Sequence, residues 1–189
     1  MKKIILGLLL LCMTTPAWAV PFRSGIYLGL KGGGAYTKFS APWTENAKSE
    51  DKSDVSLAMA AAVGVRIRHF RLEAEYMMAN KQKAAGNYEQ TMDTIMAQGY
   101  FDLPFKSAIR PFVNLGAGVY IVDFKKKNEW SDNAKEFTWS VGGGLSWAVS
   151  TATNLDIGYR YYDVGKLKTR DGSLDQDNHV LYFGWRHVF

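Results

Sequence analysis

The chain has a single cysteine, Cys12, and a single long apolar run, and both fall within its first nineteen residues. That opening reads MKKIILGLLLLCMTTPAWA. Lys2 and Lys3, an apolar run over 4–13 and the small-x-small step Ala17-Trp18-Ala19 together read as a secretory signal peptide, 1–19, cleaved after Ala19. The run is too short to serve as a membrane-spanning anchor. Lipid attachment at Cys12 is disfavoured, because such sites want a small residue just before the cysteine and Leu11 stands there. With Cys12 goes every disulfide, although the chain is bound for a compartment where disulfides form. No later stretch offers 18 apolar residues, so a membrane helix is excluded. Charge of one sign is scarce too. Removing Lys2 and Lys3 leaves 21 basic residues (23 − 2) against 18 acidic, a net +3, which calls for no nucleic-acid partner.

What the sequence does have is period-two alternation. The stretch NHVLYFGWRHVF over 178–189 puts Leu181, Phe183, Trp185, His187 and Phe189 on one face and Val180, Tyr182, Gly184, Arg186 and Val188 on the other. Such alternation of β-branched and aromatic residues predicts a strand, and about 9–11 tilted residues are what a bilayer requires of one. Seven further segments alternate in the same way, over 25–37, 55–67, 70–78, 91–103, 111–123, 137–149 and 155–164. Short turns fall at Arg68-His69, at 104–110 and at 151–154. Polar loops are expected at about 40–54, 80–90, 125–136 and 166–178. The expectation is all-β: an eight-stranded antiparallel up-and-down transmembrane β-barrel over 20–189, with no helix. Short turns on one side and long loops on the other are the layout of outer-membrane barrels.

Alternation alone does not say which face points outward, since a soluble barrel also has one apolar face. Three features favour lipid. The less apolar face mixes Gly, Ala and Ser with Arg66, Arg71, Glu73, Glu75, Asp156, Arg160 and Arg186, a set suited to a narrow lumen where charges pair. Trp139 and Trp147 share the apolar face eight residues apart. That spacing corresponds to roughly 20 Å along a tilted strand, near the separation of two aromatic girdles. The strands are also long for a soluble meander.

The segments AAAVGVRIRHFRLEAEY (60–76), FDLPFKSAIRPFVNLGAGVYIV (101–122) and LDIGYRYYDVG (155–165) resemble the opacity-type, OmpA-like eight-stranded outer-membrane barrels. The Arg-x-Glu-x-Glu-Tyr run at 71–76 and the two prolines flanking the 104–111 turn carry the likeness. The resemblance implies location in the outer membrane of a Gram-negative bacterium. It also implies an assembly signal in the last strand, which Leu181, Phe183, Trp185 and Phe189 fit, with His187 where the family usually has an aromatic. Implied partners are outer-membrane lipid and lipopolysaccharide, the assembly machinery, periplasmic chaperones and, through the loops, host or cell-surface molecules. The expected form is a monomer.

Candidate chemistry is thin. The charged face could line a narrow channel, but eight strands leave an interior that side chains fill, so a paired structural network is the stronger expectation. Gly29 to Gly34 has phosphate-loop spacing, yet Ala35-Tyr36 follow instead of Lys-Ser/Thr; the clusters at 32–34 and 142–144 read as close strand packing. A lipid-modifying enzyme would need a histidine and a serine. His69 and His187 lie at the periplasmic end, and His179 has only Ser173 near it in sequence and no defined orienting acid. The acidic run DGSLDQDN (171–178) lacks the EF-hand spacing. No catalytic residue, cofactor or metal is therefore expected. Function is left to the loops, with Trp43 and Trp130 as isolated aromatics in polar surroundings. Surface antigen, adhesin and membrane-integrity protein remain open beside a channel.

Overall fold

The computed structural model describes the backbone of residues 23–40, 54–84, 88–126, 129–169 and 172–189. The expected signal peptide and most of the expected first loop lie outside the described residues. Eight strands follow one another: β1 (Gly25–Ser40), β2 (Asp54–Ile67), β3 (Phe70–Ala84), β4 (Tyr88–Asp102), β5 (Ile109–Lys126), β6 (Glu129–Ala148), β7 (Thr153–Thr169) and β8 (Gly172–Val188). Each pairs antiparallel with its neighbours, and β8 returns to β1, so the sheet closes into a barrel. Closure satisfies both edges of the sheet, which is what a strand in hydrocarbon needs. At the seam Leu30 faces Trp185 and Gly33 faces Tyr182. The Phe189 N–H donates to the Ile26 carbonyl at 2.9 Å.

Alternation sorts the side chains as the lipid-facing reading requires. Leu30, Leu57, Leu72, Ile95, Leu115, Phe137, Ile157 and Phe183, one from each strand, are all exposed on the outer wall. A soluble surface does not carry so continuous an apolar belt. Positions between them point inward and are buried or half-buried. No helix among the described residues is long and apolar enough to cross a membrane; the chain crosses with strands.

The strands run further than the apolar alternation does, which corrects three expected loops. Regions 80–90, 125–136 and 166–178 are mostly hairpin: β3 reaches Ala84 before β4 begins at Tyr88, β5 reaches Lys126 before β6 at Glu129, and β7 reaches Thr169 before β8 at Gly172. The physical reason is that ladder hydrogen bonds do not require apolar side chains. Hydrophobic periodicity marks only the membrane-embedded part of a strand, while pairing continues into polar sequence. Register shifts at Ala79/Gln82, Lys125/Lys126 and Asp163/Lys166 fall within these extensions.

Glycines let the wall close tightly. A Cβ on Gly144 would come 2.1 Å from the Ile157 carbonyl oxygen and 2.8 Å from the Phe112 ring. One on Gly33 would come 2.1 Å from the Leu181 carbonyl oxygen and 2.7 Å from the Tyr182 Cα. The glycine triplets are therefore packing devices, in keeping with the strand reading. At the short-turn end of the barrel, the two-residue turn between β2 and β3 needs a left-handed residue. Arg68 takes it at φ 55°. Its N–H is held by the Ser24 hydroxyl at 3.1 Å and its carbonyl by Arg66 Nε at 3.2 Å.

Candidate functional site

The inward positions bring all seven charged residues singled out in the sequence into the barrel interior, with two more. At the short-turn end, Arg66 donates to Asp102 at 2.6 Å and Arg71 to the other Asp102 oxygen at 2.8 Å. Arg71 also reaches Asp156 at 3.4 Å. Arg186 holds Asp156 with Nε at 2.8 Å and Nη2 at 3.0 Å, and Nη2 also donates to the Ser146 hydroxyl. The result is an unbroken alternation Arg66–Asp102–Arg71–Asp156–Arg186 that crosses from β2 to β8.

A second group sits on the loop side of the first. Lys31 bridges Glu73 and Glu75 and donates to the Tyr100 hydroxyl at 2.8 Å. Tyr27 donates to Glu73 at 2.8 Å. Arg160 binds Glu75, the Tyr162 hydroxyl at 2.7 Å and the Tyr100 hydroxyl at 2.6 Å. Arg71 and Glu73, 4.0 Å apart, join the groups. Gln98, Asn114 and Ser140 bond one another beside them. The charges are five cations (Lys31, Arg66, Arg71, Arg160, Arg186) and four carboxylates (Glu73, Glu75, Asp102, Asp156), a net +1, and every one is buried.

Charges this deep must be paired, because a lone one costs several kcal/mol. Rings add to the pairing: the Arg71 guanidinium lies 4.3 Å from the Tyr100 ring centre and Arg160 5.1 Å from that of Tyr182. Lys31 and Asp102 were not among the residues singled out in the sequence. Alternation was the signal for both, since Lys31 shares its face with Tyr27 and Asp102 shares its face with Gln98 and Tyr100.

Outside, Trp139 and Trp147 both face outward. Trp139 meets Tyr161 edge-on at 5.9 Å. His179 lies among Tyr36, Tyr159 and Tyr161, with its Nδ1 2.5 Å from the Tyr159 hydroxyl. That is an outward aromatic cluster near the loop end. The side chain of Ser173 lies outside the described residues, and nothing described arms His179 for catalysis. Near the other end, His187 stacks on Trp185 at 6.0 Å, meets Phe189 at 5.2 Å and bonds the Thr153 hydroxyl at 3.2 Å. An imidazole thus fills the aromatic position of the last strand. Leu181, Phe183, Trp185 and Phe189 are all exposed on the outer wall. Among the described residues no group of three His, Cys, Asp or Glu could hold a metal ion.

The family model for the outer membrane protein beta-barrel domain matches residues 5–186. The chain belongs to this family. Its place is the outer membrane of a Gram-negative bacterium. It is 27% identical over 100 residues to outer membrane protein PagN of Salmonella typhimurium strain LT2, a match over 48% of this chain and 42% of that one. The match therefore spans less than half the length of this curated relative. Neisserial surface protein A superposes with a TM-score of 0.71 at 22% identity, over 88% of this chain and 98% of that one. Outer membrane protein AlkL does so at 0.54 and 14% identity, over 93% and 95%. These likenesses concern the fold; what this member does depends on its own residues.

Proposed function

We propose that this barrel is a sealed anchor that presents its loop end at the cell surface, as an adhesin-like protein or surface antigen without catalysis. The observation that supports it is the interior. Nine buried charges, cross-bonded with tyrosine, glutamine, asparagine and serine side chains, fill the space a solute would need. Eight strands leave no room for a second file of water beside them. With the lumen closed and the wall covered by lipid, recognition is left to the four connections between β1 and β2, β3 and β4, β5 and β6, and β7 and β8. The sequence at that end of the barrel, taking the β1–β2 connection together with the polar ends of β3 to β8, combines Lys, Glu and Asp with Trp43 and Trp130, and such mixed polar and aromatic sequence suits protein or glycan contact.

The test is adhesion. A non-adherent Gram-negative strain displaying the full chain is expected to bind cultured epithelial cells above the vector control. Replacing residues 41–53 with a Gly-Ser linker should lower binding several-fold at equal surface display. Equal binding by both strains would remove the loop from the account. Binding no better than the vector, with detergent sensitivity appearing when the chain is deleted from its own host, would favour a barrel that only strengthens the membrane.

A further inference from the structure

Two features of the periplasmic half of the wall coincide. The first is an apolar groove of about 470 Å³ on the outer face, where Phe70, Leu72, Phe101, Val113 and Leu115 surround Gly99. Gly99 makes the groove: a Cβ there would meet nothing closer than the Leu115 carbonyl oxygen at 3.8 Å. The second is a pair of exposed cations on the two turns next to its lining strands. The turn carrying Arg68 and His69 runs directly into Phe70, and the turn carrying Lys106 follows Phe101-Asp102. The two turns adjoin, since the Asp102 N–H donates to the His69 carbonyl at 2.7 Å. Arg68 and Lys106 are exposed, while the carboxylate beside them, Asp102, is buried and taken by Arg66 and Arg71.

An apolar slot whose lining strands run into turns with two exposed cations has the chemistry that suits one lipid. We propose that this face binds an anionic glycerophospholipid of the inner leaflet, one acyl chain lying over Gly99 and the phosphate between Arg68 and Lys106. Cations just beyond the hydrocarbon edge attract such headgroups. A second copy of the chain fits less well, because a two-fold contact through this face would set the same cations against each other.

Native mass spectrometry of the refolded chain, offered equal dimyristoyl phosphatidylglycerol and phosphatidylcholine in detergent, tests this. One phosphatidylglycerol should be retained with a preference of roughly thirtyfold, the order two cations near a headgroup supply. Gly99→Leu, which the free space at this position admits, should abolish retention. Arg68→Asn combined with Lys106→Gln should remove the preference while leaving the groove, asparagine being chosen because it tolerates a left-handed backbone. Heat-shifted electrophoretic mobility checks that each variant is folded. Equal retention of the two lipids by the unaltered chain would overturn the proposal, as would a preference that survives both changes. A dimer that Gly99→Leu dissociates would assign the groove to a second copy and overturn it as well.

Discussion

Asp156→Ala is expected to destabilise the folded barrel by about 3–5 kcal/mol, the cost of stranding a buried partner. Asp156 takes two bonds from Arg186 and one from Arg71, and without it Arg186 keeps, among the described residues, the Ser146 hydroxyl as its one hydrogen-bond partner beside the face of the Tyr27 ring. Arg186 is fully buried, so water cannot replace the lost carboxylate. Removing the acid also takes the interior from a net +1 to +2. Adding Arg186→Met restores the balance and leaves an apolar stem of similar length. The double variant is therefore expected to recover a large part of the loss, a coupling well above the ~0.5 kcal/mol that separates independent sites. Urea unfolding in lipid vesicles, followed by tryptophan fluorescence, measures the cycle. Additive losses would show that the two side chains do not work as a pair.

A comparable effect is expected from one isopropyl group in the right place. Gly33→Val should prevent the barrel from closing, whereas Gly32→Val, one residue away, should leave it intact. Gly33 points inward at the β1–β8 seam, and its new Cβ would lie 2.1 Å from a backbone oxygen of β8. No rotamer relieves a clash between Cβ and backbone, so the cost exceeds the ~1–3 kcal/mol of ordinary overpacking. Gly32 faces outward with nothing within 4 Å of the added carbon. There a β-branched residue gains strand propensity on a scale of about 1 kcal/mol. The readout is the fraction of protein showing the heat-dependent electrophoretic shift after refolding. Equal fractions for the two variants would mean that the seam is not as tight as these contacts require.

The parts that were legible in the sequence are those governed by local geometry. Alternation assigned faces: Leu181 and Phe183 outward, Tyr182 and Arg186 inward, and the same along the other strands. Eight segments joined by alternating short and long connections implied closure with β1 beside β8. What alternation could not give is stagger. Arg71 meets Asp156 across the lumen, 85 residues along the chain, because strand tilt and register bring those two levels together. Neither quantity is written in any one segment. Lys31 shows the same limit. It stands between Gly29 and Gly33, in a stretch that reads as spacing, yet it bridges the two glutamates of β3. The polar ends of β3 to β8 were read as loop because their side chains carry no period, although their backbones pair. His187 looked like a departure from an aromatic pattern, and its ring in fact stacks on Trp185 and meets Phe189 edge-on.

A barrel packed with paired charges should be closed to ions, leaving its function to the surface outside it. Single-channel recording of the refolded chain in planar bilayers tests it most directly. The account predicts no long-lived conductance step at moderate voltage, because an ion would have to displace Arg71, Asp156 and their partners from one another. Stable, ohmic steps from every inserted barrel, unchanged when residues 41–53 are replaced, would contradict it and make the charged interior a conduction path.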